Sequence, residues 1–392
     1  MKDLKDFIID EIVDSKKSTE DEVLQKLETF LLDKGYTTEM LMRNYKFRDN
    51  RSNNQRSFDL AVIENETPVE VYEVKAFYSK RVSYTHLYQT FKSSNQIYAR
   101  IPAFIAYLNK AGELVLQSMM PPVKSFSDFY ATLDMYVKHQ SDDDYLYFYR
   151  GHNNEHYTFK PGIYRPSPTD RGIKEENIMY QEAIRFCPTE FSNDMCCFEK
   201  LVKMQHYELP TRLLDITTNP LVALYFACSG DNESNGEVIF FKVKKSDIKY
   251  FDSDTVSVIA NLAKCNCNFE IEPNLPVTAF NNTTHIQSLL HEIKQEKIHF
   301  NDCIKPEDLE RVLCVLPKLS NPRIARQSGA FFLYGITKNK RNPAKLQHAP
   351  RRIIINAEYK KIILQELANL GITKASLFPE IDNIMKSIKN KW

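Results

Sequence analysis

Residues 205–227 read QHYELPTRLLDITTNPLVALYFA. Two charges, Arg212 and Asp215, sit inside an apolar run; Thr217, Thr218, Asn219 and Pro220 then break it, and a nearly unbroken apolar segment follows. Proline tolerates the first turn of a helix and short polar side chains cap free N–H groups, so the break predicts a helix starting at Pro220. Charges flanked by Leu213, Leu214 and Ile216 are expected to be buried, and burial demands a partner. Arg212 and Asp215 are therefore expected to form an ion pair in the core, or else to belong to a site. Within the helix, Leu221, Val222, Leu224, Tyr225 and Phe226 read as core packing and Cys228 as an inert thiol. His206 reads as a structural, hydrogen-bonded histidine.

Outward from this block, an aromatic strand over residues 145–149 ends in Tyr149-Arg150-Gly151, and the chain later carries RIARQSGAF (323–331) and GITKASLFPEI (371–381). Together these pieces resemble the FRG domain, a bacterial module named for a Phe-Arg-Gly tripeptide, with Tyr149 here in place of Phe. The resemblance covers roughly residues 126–392. Ile216 stands where an aromatic residue is expected. A guanidinium fork suits phosphate oxygens and glycine admits a ligand to the backbone, so Arg150 beside Gly151 could clamp a diphosphate. Gln205, His206, Thr211, Arg212 and Asp215 could form the wall of a ligand pocket, with Gln327 entering from the RQSGAF strand. The layout is also similar to that of ADP-ribosyltransferases. That likeness implies NAD as a ligand, with Arg150 on its phosphates, Thr217 or Tyr225 on the nicotinamide side and Gln327 at the position of a catalytic glutamate. Gln327 carries an amide there, which cannot act as a carboxylate.

Composition bounds the rest. The 392 residues suffice for two or three domains, and 43% hydrophobic with 26% charged residues is ordinary globular usage. The net charge of +1 announces no bulk field toward nucleic acid or membrane, though it leaves room for a local basic groove. Eight cysteines without a Cys-x-x-Cys pair exclude the usual zinc spacing. They read as reduced thiols, and with no signal peptide or long apolar run the expected location is the cytoplasm. Ten glycines, none in a GxGxxG or GxxxxGK[ST] arrangement, argue against a glycine-rich phosphate loop.

The N-terminal third reads as helix over residues 1–35, with a helix start at 18–22, then a strand end and basic loop over 43–56. A hairpin over 58–76, a helix near 84–100 and short strands over 102–108 and 113–117 complete a first unit. A Pro-containing linker spans 119–123. Beyond it, strands are clearest over 238–243, 313–316 and 330–334.

The hairpin reads FDLAVIENETPVEVYEVKA. The simplest register, centred on Glu66, sets Asp59 opposite Glu73, and paired residues share a face of the sheet. Lys75 lies two residues beyond Glu73 and shares that face as well. Two adjacent carboxylates repel unless a cation lies between them, and a divalent metal is the natural one. This segment resembles the PD-(D/E)xK nuclease superfamily, and the order of elements agrees. The resemblance implies Asp59 and Glu73 as Mg²⁺ ligands and Lys75 as the group that positions water or stabilises charge on phosphorus. It also places Glu22 where an additional helix carboxylate occurs and Gln89 beside the site. Phe58 replaces a proline before the Asp. Arg43, Lys46, Arg48, Arg51 and Arg56, with Lys80 and Arg81, would suit nucleic-acid phosphates. The competing reading is a solvated surface charge cluster, or a nuclease-like fold that binds without cutting.

The expected architecture is thus α/β and α+β. A restriction-endonuclease-like mixed sheet flanked by helices occupies residues 1–120, and an FRG domain with an ADP-ribosyltransferase-like cast occupies 121–392. The expected function is a Mg²⁺-dependent endonuclease acting on DNA or RNA, regulated by ligand or partner sensing in the FRG domain, in antiphage defence. No membrane partner is expected; a protein partner or homo-oligomer within a defence complex is. The alternatives are an NAD-using FRG toxin with a nucleic-acid-binding N-terminal domain, and two non-catalytic binding modules.

Overall fold

The computed structural model describes residues 19–48, 55–64, 67–75, 103–108, 111–118, 123–138, 143–166, 172–191, 196–231, 233–272, 274–347 and 350–391. Two mixed sheets flanked by helices make up the fold.

The first sheet has five strands in chain order: β1 (Leu41–Arg48), β2 (Gln55–Glu64), β3 (Thr67–Val74), β4 (Ala103–Leu108) and β5 (Leu114–Ser118). Only β3 and β4 run parallel. A parallel pair needs a crossover; the helix expected near 84–100 falls in that connection, outside the described residues, as do residues 1–18 and the linker at 119–122. Helix α1 (Glu20–Asp33) begins where the sequence predicts. The Thr19 hydroxyl accepts the Glu22 N–H at 3.2 Å, and Glu20, Asp21 and Glu22 face the positive end of the helix dipole. Val23, Leu27 and Leu31, four residues apart, bury one stripe against Leu60, Val62, Tyr72 and Phe104.

The β2–β3 hairpin keeps the expected register where it matters. Leu60 pairs with Tyr72, Ala61 with Val71 and Val62 with Glu70, so one further step sets Asp59 opposite Glu73. The turn differs from expectation. The register shifts by one residue between Val62 and Ile63, so that Ile63 faces Pro68 and Glu64 faces Thr67. The connection is therefore shorter than a loop over 64–68, with the extra residue absorbed in a bulge.

The second sheet runs β14-β8-β6-β7-β11-β10-β9. Its strands are β6 (Tyr145–His152), β7 (Leu213–Thr217), β8 (Gly236–Lys244), β9 (Ile248–Tyr250), β10 (Val312–Leu316), β11 (Gly329–Tyr334) and β14 (Arg351–Ile355). Between β11 and β14 lies a separate two-stranded ribbon, β12 (Ile336–Thr337) with β13 (Asn339–Pro343). Only β9 and β10 are parallel within the large sheet. Helices α2 (Phe126–Lys138), α5 (Pro220–Cys228) and α9 (Lys360–Asn369) cover Tyr149, Val238, Phe240 and Ile353. Helix α3 (Glu176–Phe186), α4 (Cys197–His206), α6 (Asp254–Ala260) and α7 (Thr284–Glu296) enclose a second core with Leu213, Phe331 and Leu333. The short helix α8 (Pro322–Arg326) leads into β11. As expected, Asn219 caps α5, accepting the Leu221 N–H at 2.9 Å.

One seam in this sheet is open. β6 and β7 share a single pair, Tyr149 with Thr217, whereas β6 pairs with β8 along its whole length. Beyond that pair β6 and β7 make no further ladder contact, and the gap lies in the middle of the sheet.

Candidate functional site

The hairpin brings Asp59, Glu73 and Lys75 together. Lys75 Nζ lies 2.8 Å from Glu73 Oε1 and 4.0 Å from Asp59 Oδ2, with all three side chains partly shielded. Asp59 Oδ2 also accepts the Val74 N–H at 2.6 Å, which fixes the carboxylate against the opposite strand. The ammonium therefore lies near both carboxylates, closer to Glu73. Mg²⁺ takes hard oxygen donors, commonly one or two carboxylates with water and substrate phosphate completing its shell, so Asp59 and Glu73 fit that ion. Among the described residues no group of three or more His, Cys, Asp or Glu is gathered for a metal. Glu22 lies in the first turn of α1, half-buried. Gln89, Lys80, Arg81 and Arg51 lie outside the described residues. Arg43 makes a bidentate pair with Glu28 at 2.6 Å, and Lys46 is exposed on β1.

The second candidate site is a cavity of about 220 Å³ at the open seam between β6 and β7. Arg150, Gln205, His206, Asp215 and Gln327 of the predicted set line it, with Thr217, Val222 and Phe226. Gly151 sets its depth: a Cβ there would lie 1.9 Å from the Ala223 carbonyl oxygen, so only glycine lets α5 cross this closely over β6. Arg150 fills the broken ladder with its side chain, donating from Nη1 to the Asp215 carbonyl at 2.6 Å and from Nε to His152 Nε2 at 2.8 Å. Gln327 sits at the C-terminal end of α8 rather than on a strand, and its Nε2 donates to the Leu377 carbonyl at 3.1 Å. Its own carbonyl accepts the Thr217 hydroxyl at 2.7 Å. His206 Nε2 lies 3.9 Å from Glu380; burial and the neighbouring Arg323 lower its pKa, which favours the neutral ring near pH 7. Tyr225 packs with the α2, α5 and α9 core.

Two predicted wall residues lie elsewhere. Thr211 is buried, its hydroxyl donating to Gln205 Oε1. Arg212 is fully buried and pairs with Glu176 of α3, not with Asp215; its Nε lies 2.9 Å from Glu176 Oε1, and Lys340 Nζ lies 3.1 Å from the same carboxylate. The expected Arg212–Asp215 pair fails because side chains alternate along an extended chain, so residues three apart point to opposite faces. Asp215 instead faces the cavity, its side chain 62% exposed and 3.8 Å from Arg150 Nη1. Burial pushes the Cys228 thiol up to about 12, in keeping with an inert cysteine.

Behind Arg150 lies a buried charge cluster that sequence reasoning missed. His152 Nδ1 donates to Glu237 Oε1 at 2.9 Å, while its Nε2 accepts from Arg150. Burial lowers the His152 pKa to about 4, so the ring is neutral near pH 7, as both hydrogen bonds require. Glu237 also pairs with Lys34, the residue that ends α1. Burial alone would raise the Glu237 pKa; Lys34, His152 and Arg352 outweigh it and hold it at about 2. Arg352 of β14 lies 3.6 Å from Glu237 and reaches across to Glu70 and the Tyr72 hydroxyl on β3. Tyr36 joins from the first unit, donating to the Pro350 carbonyl at 2.6 Å. Period-two spacing could have found His152, two residues beyond Arg150, and Glu70, two before Tyr72. Lys34 and Arg352 carry no such local signal.

No curated protein and no solved structure matches this chain. Residues 146–236, which carry Arg150, Gly151 and the block that opens with Gln205, match the family model of the FRG domain.

Proposed function

We propose that the protein is a metal-dependent nuclease that hydrolyses phosphodiester bonds of DNA or RNA at Asp59, Glu73 and Lys75, under the control of ligand capture in the FRG-domain cavity. The observation that carries this reading is the Lys75 ammonium lying within reach of both the Asp59 and Glu73 carboxylates on one face of a hairpin. Asp59 and Glu73 would hold Mg²⁺, which when bound supplies charge neutralisation at the scissile phosphate and acidifies a bound water. Glu73 orients Lys75, and the Lys75 ammonium donates to the attacking water or to the oxygen on which charge builds. The Val74 N–H holds Asp59 in place, so that the carboxylate is preorganised on the strand pair.

Control by the FRG domain is supported by the buried cluster. Arg150 in the cavity contacts His152, His152 contacts Glu237, and Glu237 lies against Lys34 and Arg352, which in turn holds Glu70 and Tyr72 on the strand that carries Glu73. A role in antiphage defence, in the cytoplasm, rests on the joining of a nuclease-like unit to a ligand-sensing one. A second reading, an NAD-using FRG domain with a nucleic-acid-binding first unit, is favoured by the convergence of Arg150, Thr217 and Gln327 on one cavity.

Incubation of the purified protein with plasmid DNA and with RNA, in Mg²⁺ and in EDTA, tests the first reading. Cleavage in Mg²⁺ that is lost in Lys75→Ala supports it. Intact DNA and RNA alongside Arg150-dependent consumption of NAD would replace it with the second.

A further inference from the structure

Arg150, Arg212 and Arg352 all enter the interior around the second sheet, and they are satisfied in different ways. Arg212 is clamped by the Glu176 carboxylate with Lys340 alongside, and it also donates to the Tyr334 carbonyl at 3.1 Å. Arg352 faces Glu70 at 3.3 Å and Glu237 at 3.6 Å. A buried charge is stable only when paired and hydrogen-bonded, and both of these face carboxylates, although Arg352 Nη1 has no hydrogen-bond partner among the described residues.

Arg150 departs from this pattern. Its side chain is 15% exposed, yet its two hydrogen bonds go to neutral acceptors, an imidazole nitrogen and a main-chain carbonyl. The nearest carboxylate is that of Asp215, 3.8 Å away and 62% exposed, where water screens it. Glu237 faces it only through His152. Burial lowers the Arg150 pKa, as expected for a guanidinium short of negative charge. Among the described residues none accepts from Nη2, and Arg150 alone of the three lines the cavity.

The cavity supplies what an anion would need. Arg323 of α8 contributes a second guanidinium to the lining, held over the Phe378 ring at 4.7 Å and 4.0 Å from Glu380. Gln205 and Gln327 add amides, and Ile216, Val222 and Phe226 give an apolar wall that keeps the local dielectric low. At about 220 Å³ the space lies below the roughly 300–1,000 Å³ usual for whole small-molecule ligands. It suits a phosphoryl or diphosphate group, with the rest of a larger molecule reaching outward.

We infer that the FRG-domain cavity is a receptor for a phosphate-bearing small molecule, whose phosphoryl or diphosphate group completes the charge of Arg150 and bridges toward Arg323. This deepens the sensing half of the proposed function and does not depend on hydrolysis at the hairpin.

Thermal-shift and calorimetric titrations of the full-length Lys75→Ala protein in EDTA, with inorganic pyrophosphate and with ADP as probes, test the inference independently of nuclease activity. Either probe is expected to raise the melting temperature at millimolar concentration. Arg150→Gln is expected to weaken binding by about tenfold or more, the loss typical of one charged hydrogen-bonding partner. Arg323→Gln, at a half-exposed position, is expected to weaken it less, and Asp215→Asn to tighten it by removing a competing negative charge. Pyrophosphate binding alone assigns recognition to the diphosphate; ADP binding without pyrophosphate binding assigns it to a phosphate read together with its nucleoside. Both outcomes support the receptor. Absence of any shift with either probe, or an unchanged affinity in folded Arg150→Gln and Arg323→Gln proteins, overturns it.

Discussion

Arg352 and Glu70 meet with neither side chain exposed, Nε of the one 3.3 Å from Oε1 of the other, although one belongs to the second sheet and the other to the first. A buried pair of this kind at a junction between units is costly to break by removing one partner, because the other charge is left buried without compensation. Arg352→Met would leave Glu70 without its arginine and Glu237 with Lys34 and the His152 N–H as its remaining partners, and it is expected to destabilise the protein by about 3–5 kcal/mol. Urea unfolding of the wild type should show one transition. In Arg352→Met the first unit should separate as an earlier transition, and the double variant Arg352→Met with Glu70→Gln should be less damaged than the single one.

Arg212 and Asp215 should respond in opposite ways to neutralisation. Arg212→Met strands a buried Glu176 with Lys340 as its remaining cation and should cost about 3–5 kcal/mol in chemical denaturation. Asp215→Asn, at a largely exposed position, should stay within about 0.5 kcal/mol of wild type. Equal effects from the two substitutions would restore the pairing that the sequence suggested.

The pH dependence has two opposed contributors behind the cavity. Glu155, with one carboxylate oxygen buried and unpartnered, is raised from 4.5 to about 7 by burial and by Glu237. Its folded pKa exceeds its unfolded one, so its contribution is full below pH 4.5 and is lost as pH rises through 7. His152 runs the other way: depressed from 6.5 to about 4, it contributes fully above 6.5 and loses that contribution as pH falls through 4. Wild-type melting temperature should therefore vary little between these limits. Glu155→Gln removes the first contributor, so its advantage over wild type should open between pH 4.5 and 7 and then level off, which a melting series across pH would reveal.

Gly151→Ala should be among the most damaging single-methyl changes in the chain. The added carbon would meet the Ala223 carbonyl at 1.9 Å, and a helix backbone cannot swing aside as a side-chain tip can. The roughly 1–3 kcal/mol typical of overpacking is a lower bound here. Loss of soluble protein, or a melting temperature well below wild type, is expected; an unchanged melting curve would mean that α5 does not cross β6 this closely.

Local signals carried much of the fold. The caps at Thr19 and Asn219, the hairpin register around Leu60 and Tyr72, and the apolar strands β8, β10 and β11 all follow from periodicity and end chemistry over a few residues. The cavity residues Arg150, Gln205, His206, Asp215 and Gln327 were nameable because motif resemblance collects positions far apart in sequence. What stayed hidden depends on pairing between distant segments. Glu176 and Arg212 are joined by α3 docking beside β7, and Lys34, Glu237 and Arg352 by one unit docking on the other. Neither docking leaves a trace in spacing, because a buried ion pair demands only that a partner exist, not where in the chain it lies. The bulge at Val62 was hidden for a smaller reason: a one-residue slip leaves composition unchanged.

The matched segment ends at residue 236, where β8 begins. Of the seven strands it supplies only β6 and β7, which share one pair. Their true neighbours, β8 and β11, lie downstream. An excised 146–236 fragment would consequently hold two strands with no continuous ladder between them and unpaired backbone on both, the profile of an aggregating peptide rather than a portable module. Transplanting this segment as a folded unit into another protein would require the chain through β14 at least, and with it the Arg352 that faces Glu70.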